Sequence, residues 1–294
     1  MYASPFEYAP AASWEEAVRL LAEAGDDGKV IAGGQSLVPM MTLRLATPRV
    51  LVDVNRASSE SIRLDDGYLV IPALTRHAEL QRSPLVRRSS PILADAAGHI
   101  GNVRVRHRGT IGGTLAHADP TAELPTVVLA LQGTVHVLGP AGERSIPVAD
   151  FFVTHYTTAL EPADVVTAVK LPVIPEGRGW AFEELSRRAG DFALVEAAAL
   201  VDVEPDGRCS GVRLALGAVG ERPFDASELA APMVGAEPNE GTVADVGRAV
   251  SERVQPSQGV HGSGEYRRKM ATVIARRALL SAIGRARSPV GVSG

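Results

Sequence analysis

The sequence contains one cysteine, Cys209, among its 294 residues. A single thiol cannot form an intrachain disulfide. Iron–sulfur clusters are held by about four cysteine thiolates, so this chain cannot hold one by itself. If electrons reach the protein from such a cluster, another polypeptide holds that cluster.

The sequence also lacks an excess of basic residues and any long apolar run. The formal net charge is −4, with 45% hydrophobic and 22% charged residues, which is ordinary for a globular protein. This composition offers no basic surface for nucleic acid. No run approaches the roughly 20 apolar residues that span a bilayer, and the first residues, MYASPFEYAP, lack the features of a signal peptide. We therefore expect a cytoplasmic protein without a transmembrane segment.

Several signatures of catalytic and nucleotide-binding sites are missing. The seven histidines show no H-x-x-x-H or similar ligand spacing, so we expect no metal site. Neither G-x-G-x-x-G nor G-x-x-x-x-G-K-[ST] occurs, which disfavours a Rossmann dinucleotide site and a P-loop NTPase. Because G-x-S-x-G is absent as well, we do not interpret His117, Asp119 and Ser36 as a hydrolytic site.

Two glycine-rich stretches lie between segments of ordinary globular sequence: residues 33–36 (GGQS) and residues 109–114 (GTIGGT). Glycine reaches positive φ without steric cost and lets a ligand approach the main chain closely. Successive N–H groups can then converge on one anion. Two such stretches suit a diphosphate, because a buried charge needs several aligned donors. A tight structural corner is the alternative explanation for each.

Three segments resemble the FAD-binding medium subunits of the molybdenum hydroxylases, a group that includes the carbon monoxide dehydrogenase medium chain and, more distantly, the FAD domain of xanthine dehydrogenase. The segments are AGGQSLVPMMTLRL at 32–45, TIGGTLAHADPTAELP at 110–125 and FEELSRRAGDFALV at 182–195. The resemblance implies an α+β fold: a PCMH-like, non-Rossmann FAD-binding domain of two subdomains, followed by a smaller C-terminal α+β domain. FAD would lie in the crevice between them.

The boundaries of these units are predicted from changes in sequence pattern. The FAD-binding domain is expected at 1–175, with subdomains at about 1–56 and 57–175, and the C-terminal domain at 176–287. At 172–179 prolines and glycines replace the periodic pattern, which indicates a boundary. Residues 288–294 are expected to form a disordered tail.

The resemblance also implies contacts between individual residues and noncovalently bound FAD. Both glycine stretches would hold the diphosphate, through Ala32, Gly33, Gly34, Gln35, Ser36, Leu37, Thr110, Ile111, Gly112, Gly113 and Thr114. Glu123 would accept hydrogen bonds from ribose or ribityl hydroxyls, and Ile100 and Val166 would pack on the flavin or adenine. Core packing is the alternative for Ile100 and Val166, and charge at a helix N-terminus is the alternative for Glu123.

Residues 182–195 would lie at the reactive edge of the flavin. Asp191 and Phe192 match positions beside the ring, where Phe192 would cover one face; simple packing is the alternative. Relatives usually carry a lysine at position 183 or 184, whereas this chain has Glu183 and Glu184. These carboxylates would disfavour an anionic reduced flavin, and we expect Arg187 or Arg188 to compensate.

The function implied by the resemblance is electron transfer. The chain would take electrons from a small [2Fe–2S] subunit, which receives them from a large molybdenum-cofactor subunit, and pass them to an external acceptor. The chains would form a dimer of heterotrimers, and the oxidised substrate would not contact this chain. Two other functions stay open: a stand-alone flavin oxidase or reductase, and a non-redox assembly module that binds only an ADP moiety.

Overall fold

The computed structural model describes residues 2–287, and its N-terminal part contains a three-stranded parallel sheet of order β1-β3-β2. The elements of this part are β1 (Glu7–Pro10), α1 (Trp14–Ala24), β2 (Gly28–Ile31), α2 (Leu37–Thr42) and β3 (Val50–Asp53). Both β1 and β2 pair with β3 in parallel. The segments that follow β2 and β3 therefore leave the sheet at the same edge.

A five-stranded antiparallel sheet of order β4-β5-β10-β6-β7 forms the middle part. Its elements are β4 (Arg63–Asp65), β5 (Tyr68–Pro72), α3 (His77–Arg82), α4 (Pro84–Ser89), α5 (Pro91–His99), α6 (Val103–Arg108), α7 (Ile111–His117), α8 (Glu123–Ala130), β6 (Thr134–Gly139), β7 (Gly142–Pro147), α9 (Val148–Phe151), β8 (Phe152–Thr154), β9 (Thr157–Thr158) and β10 (Val165–Pro172). All eight residues of α8 are buried. This helix is thus enclosed on every side.

The C-terminal part is a four-stranded antiparallel sheet that carries its own helices on one face. Its elements are β11 (Gly179–Leu185), β12 (Val195–Val203), β13 (Cys209–Gly217), β14 (Phe224–Asp225), α10 (Ser227–Ala230), α11 (Glu240–Arg253) and α12 (Gly264–Arg287). Together with the middle sheet, this gives the α+β class that the sequence predicts.

The C-terminal sheet is buried on both faces. Successive residues of a strand point to opposite faces. In β12, Ala198 and Leu200 belong to the core shared with the middle part, whereas Ala197 and Val201 belong to the core under α11 and α12. Helix α8 packs on β12 and β13, and α5 packs on β11. One continuous core therefore connects the C-terminal sheet to the middle part.

Most of the second glycine stretch is helical, because α7 begins at Ile111. Thr110 caps α7, and its hydroxyl oxygen accepts from the N–H of Gly113 at 3.1 Å. The N–H groups of Ile111 and Gly112 donate to Thr75 O (3.1 Å) and Ala73 O (2.9 Å). The expectation that the N–H groups of Gly112 and Gly113 converge on an anion is therefore wrong. A threonine N-cap stabilises this helix despite the low helix propensity of glycine.

None of the described helices combines the length and the hydropathy needed to cross a bilayer. The tail expected at 288–294 lies outside the described residues. The domain limits stay a prediction.

Candidate cofactor site

The first glycine stretch leaves a row of backbone donors free. Gly34 has a φ of +70° and turns the chain from β2 into α2. In the part of the chain that the structure describes, the N–H groups from Gly34 to Leu37 donate to no protein acceptor. Free N–H groups at the start of a helix attract an anion. This stretch therefore has the donors that the sequence predicts for a diphosphate.

The two glycine stretches touch each other. Gly33 is buried, and a Cβ atom placed there would lie 2.3 Å from Arg108 O and 2.8 Å from Gly109 Cα. Only glycine permits this approach, because any side chain would push the two segments apart. The contact brings the free N–H groups beside the N-terminal end of α7.

Two polar side chains that the sequence analysis did not predict hold the stretches together. The Asn55 side-chain amide donates to Ala32 O at 2.9 Å, and its oxygen accepts from Arg76 Nη2 at 2.7 Å. Arg76 also donates to Arg108 O. Asn55 follows β3, so the parallel pairing of β2 and β3 places it near Ala32. That pairing could have identified Asn55 from the sequence.

His77 packs against the second glycine stretch. Its Nε2 lies 2.9 Å from the Thr114 hydroxyl, and within residues 2–287 its buried Nδ1 has no hydrogen-bond partner. Burial lowers the pKa of His77 to about 4, so the imidazole is neutral at neutral pH. A side chain at Gly109 would meet the ring at 2.7 Å. His77 therefore fixes both the Thr114 hydroxyl and the path of the main chain.

Exposed basic residues lie beside the two stretches. Helix α6 ends at Arg108, next to Gly33, and presents Arg104, His107 and Arg108 to solvent. These charges would attract a diphosphate to the free N–H groups.

The apolar and acidic candidates lie deeper in the molecule. Ile100 and Val166 are 8% and 7% exposed and belong to one core cluster; their contact with a ring stays a prediction. Glu123, in the first turn of α8, is 8% exposed. Burial, followed by repulsion from Glu184, raises the pKa of Glu123 to about 7. This carboxyl group can therefore exchange a proton near neutral pH.

Glu184 and Glu196 are directly opposite each other on β11 and β12. Glu196 is completely buried; its Oε1 accepts from the Thr126 hydroxyl at 2.5 Å, and among the described residues its Oε2 has no partner. Burial raises the pKa of Glu196, and the charge of Glu123 raises it further. The environment thus favours a protonated carboxyl group at Glu196.

Glu184 is paired with His99. The His99 Nδ1 lies 3.2 Å from Glu184 Oε2, and the Glu184 side chain is only 4% exposed. The hydrogen bond to Glu184 raises the pKa of His99 above its ordinary 6.5. Glu183 instead accepts from the Ser281 hydroxyl at 3.2 Å.

Arg187 and Arg188 form ion pairs with Asp191, and neither forms an ion pair with Glu183 or Glu184 among the described residues. Arg187 lies 2.9 Å and Arg188 3.6 Å from Asp191 Oδ2, and the bond from Arg187 lowers the pKa of Asp191. Phe192 is 71% exposed. The predicted contact of Asp191 and Phe192 with a flavin ring therefore stays a prediction, and the basic side chain that pairs with Glu184 is His99.

A cavity of about 760 Å³ lies between the helices of the middle part and the edge strand β11. Its lining includes His99, Gly101, Arg106, Glu184 and Gly190. Helix α6 connects Gly101 at the cavity to Gly109 at the glycine stretches, and its six residues correspond to about 9 Å. The cavity and the free N–H groups thus lie within reach of one extended molecule.

The arrangement fits a flavin dinucleotide. Free N–H groups and arginines suit the diphosphate, Gly33 keeps the two stretches in contact, and a large cavity lies at the far end of α6. Within residues 2–287, no group of three or more His, Cys, Asp or Glu side chains could hold a metal ion. The His117 ring packs on Tyr156 at 5.1 Å, and Asp119 accepts from Thr121, so neither forms a catalytic pair with Ser36.

Comparisons with known proteins cover almost the whole chain. Residues 4–174 match the family described as the FAD binding domain in molybdopterin dehydrogenase, and residues 180–282 match the CO dehydrogenase flavoprotein C-terminal domain. The 6-hydroxypseudooxynicotine dehydrogenase complex subunit alpha of Paenarthrobacter nicotinovorans is 41% identical, over 96% of each chain.

Two solved structures have the same fold. One is a carbon monoxide dehydrogenase from Hydrogenophaga pseudoflava that lacks the Mo-pyranopterin moiety of its molybdenum cofactor; it has a TM-score of 0.95 and 36% identity, over 97% of this chain and 99% of that chain. The other is quinoline 2-oxidoreductase from Pseudomonas putida 86, with a TM-score of 0.92 and 38% identity over the same shares.

Proposed function

The chain belongs to the FAD-binding medium subunits of the molybdenum hydroxylases, and we propose that it conducts electrons from a small [2Fe–2S] subunit, through FAD, to an external acceptor. It is thus the flavoprotein subunit of an oxidoreductase, and its cofactor is FAD. Bound FAD supplies the redox chemistry, because it exchanges electrons with a one-electron carrier on one side and with the acceptor on the other.

The residues of this chain bind and orient the cofactor. The N–H groups of residues 34–37 donate to the diphosphate, and Asn55 and Arg76 keep the two glycine stretches together around it. Thr110 and residues 111–114 provide the opposite wall, where glycine leaves room for close approach. Glu123 accepts hydrogen bonds from hydroxyl groups of the cofactor, and Ile100 and Val166 contact its rings.

The partners and the compartment complete the proposal. A large molybdenum-cofactor subunit oxidises the substrate, a small [2Fe–2S] subunit relays the electrons, and the three chains form a dimer of heterotrimers. The complex works in the cytoplasm. Co-expression with a large molybdenum subunit and a cysteine-rich small subunit should yield one complex with the mass of two heterotrimers.

The observation that carries this proposal is the row of free N–H groups that follows Gly33, the residue in contact with the second glycine stretch. It is tested by titrating the full-length chain with FAD, FMN and ADP and recording flavin absorption and binding heat. We expect one FAD per chain, with weaker binding of FMN, which lacks the diphosphate bridge. Binding of ADP without FAD would identify a non-redox module, and substrate turnover by the chain alone would identify a stand-alone oxidase.

A further inference from the structure

Within the part of the chain that the structure describes, His99 is the one basic side chain paired with Glu184, a buried carboxylate on the wall of the large cavity. Its Nδ1 lies 3.2 Å from Glu184 Oε2. The imidazole edge also contacts Phe182, with ring centroids 5.3 Å apart at 75°. These two contacts fix the ring plane, because one holds Nδ1 and the other holds the ring edge. The His99 side chain is still 42% exposed and lines the cavity, so Nε2 is left to exchange a proton there.

The charges around His99 come from several elements. Asp95 on its own helix, Glu184 on β11 and Glu123 on α8 favour the protonated imidazole, with Glu184 the strongest. Arg87 on α4 and Arg106 on α6 line the same cavity and oppose it. The buried Glu184 outweighs these arginines, because a charge pair with little solvent around it is weakly screened.

Further carboxyl groups lie behind the His99–Glu184 pair. Glu196 is opposite Glu184 on the neighbouring strand, and its Oε2 is fully buried without a partner in residues 2–287. Glu123 lies one turn before Thr126, whose hydroxyl donates to Glu196. Three carboxyl groups in one buried cluster cannot all be ionised at little cost, so the cluster retains protons close to His99.

From this geometry we propose that His99, oriented by Glu184, is the proton-exchanging residue beside the flavin ring, so that reduction of FAD and protonation of His99 favour each other. The inference rests on the proposed function. Two electrons from the [2Fe–2S] subunit and one proton from solvent leave the ring with one negative charge. Where His99 is neutral in the oxidised protein, a second proton from solvent binds to its Nε2, so two electrons enter together with two protons; where His99 is already protonated, its charge stabilises the reduced ring and only the first proton enters. Coupling of this kind is reciprocal.

The test compares the redox potential of FAD bound to the full-length wild-type chain and to His99→Gln, as a function of pH. At acidic pH, where the wild-type imidazole is charged, its loss should weaken the preference for reduced over oxidised FAD roughly tenfold. For a two-electron couple this lowers the potential by about 30 mV. The difference should vanish at high pH, where the wild-type imidazole is neutral. Glu184→Gln should lower the pH at which this difference in potential vanishes, which a merely structural role of His99 would not do.

His136→Gln is the matched control. His136 lies on β6, outside the cavity, with Nδ1 3.3 Å from the Ser145 hydroxyl, and its substitution should leave the potential unchanged. Proton NMR of the wild-type protein gives an independent readout, in which the His99 resonance should titrate at higher pH in the reduced protein. Equal titration in both redox states, or a potential difference independent of pH, would overturn the inference. A wild-type chain that binds no FAD would instead contradict the proposed function.

Discussion

Glu196 is a carboxyl group without exposed surface, and its protonation links stability to pH. Folding raises the pKa of Glu196 and raises that of Glu123 from 4.5 to about 7. Carboxyl groups of this kind stabilise the fold below their ordinary pKa, and that contribution is lost as pH rises through the folded-state value. We therefore expect the free energy of unfolding to fall as pH rises from 4.5 through 7.

Glu196→Gln should reduce this pH dependence. The amide has nearly the same shape and can still accept from the Thr126 hydroxyl, but it carries no charge at high pH. At pH 8 the variant should be more stable than the wild type by about 1 kcal/mol or more, measured by urea unfolding. The control is Glu252→Gln, at an exposed position of α11, which should follow the wild-type curve. Equal pH dependence of wild type and Glu196→Gln would show that Glu196 is ionised in the fold.

Single residues were the least predictable part of the site. His77, His99 and Arg76 belong to no sequence motif, and their roles come from contacts made across the fold. The pairing of Glu184 with His99 depends on α5 packing against β11, which no local pattern specifies. The positive φ of Gly34 and the close approach of the main chain at Gly33 were predictable, because both depend on local backbone geometry.

At the scale of elements, the contact between the two glycine stretches is the feature most sensitive to substitution. In Gly33→Ala the new methyl group would lie 2.3 Å from Arg108 O, so the loop after β2 must move away from α6. Because the free N–H groups of residues 34–37 move with it, we expect FAD affinity to fall at least tenfold, about 1.4 kcal/mol. Fluorescence titration with FAD measures the change.

Gly284→Ala is the corresponding control in another helix. Gly284 is exposed in α12, and a Cβ atom there would meet nothing within 4 Å. Alanine should leave FAD affinity unchanged and raise stability by about 0.5–1 kcal/mol. If Gly33→Ala binds FAD as tightly as Gly284→Ala does, the glycine contact is not part of the cofactor site.

The elements that sequence patterns missed have a common cause. Helix α6 has the sequence VRVRHR, whose alternation is typical of a strand, yet Asn102 caps it by accepting from the N–H groups of Arg104 (2.9 Å) and Val105 (3.3 Å). Helix α7 likewise depends on the Thr110 cap. In both helices a capping side chain outweighs residue propensity, which the residue pattern of the helix alone does not show.

At the scale of the whole molecule, the two family matches meet at a shared core. Phe182 and Leu200 of the C-terminal sheet belong to the same cluster as Leu124 of α8. The two parts should therefore unfold together. The resemblance of three short segments identified the family, the α+β class and FAD correctly, but sequence patterns gave no indication of this common core, because each strand pattern is the same whatever packs on it.

The two tryptophans report separately on the two parts. Trp14 begins α1, and Trp180 lies in β11 with the Arg285 guanidinium 3.9 Å from its ring centroid. Trp14→Phe leaves only the indole of Trp180, and Trp180→Phe leaves only that of Trp14. In each variant we expect the urea midpoint measured by fluorescence of the remaining indole to equal the midpoint measured by circular dichroism. Two separate midpoints within one variant, one by fluorescence and one by circular dichroism, would show that the parts unfold independently.

The most direct test of the account is electron transfer from the small subunit to the flavin. The FAD-loaded chain is mixed anaerobically with the pre-reduced [2Fe–2S] subunit, and the flavin absorption is followed by stopped flow. The account predicts rapid bleaching of the flavin band, absent when the small subunit is oxidised or when the chain lacks FAD. A flavin that stays oxidised in the presence of the reduced subunit would contradict it.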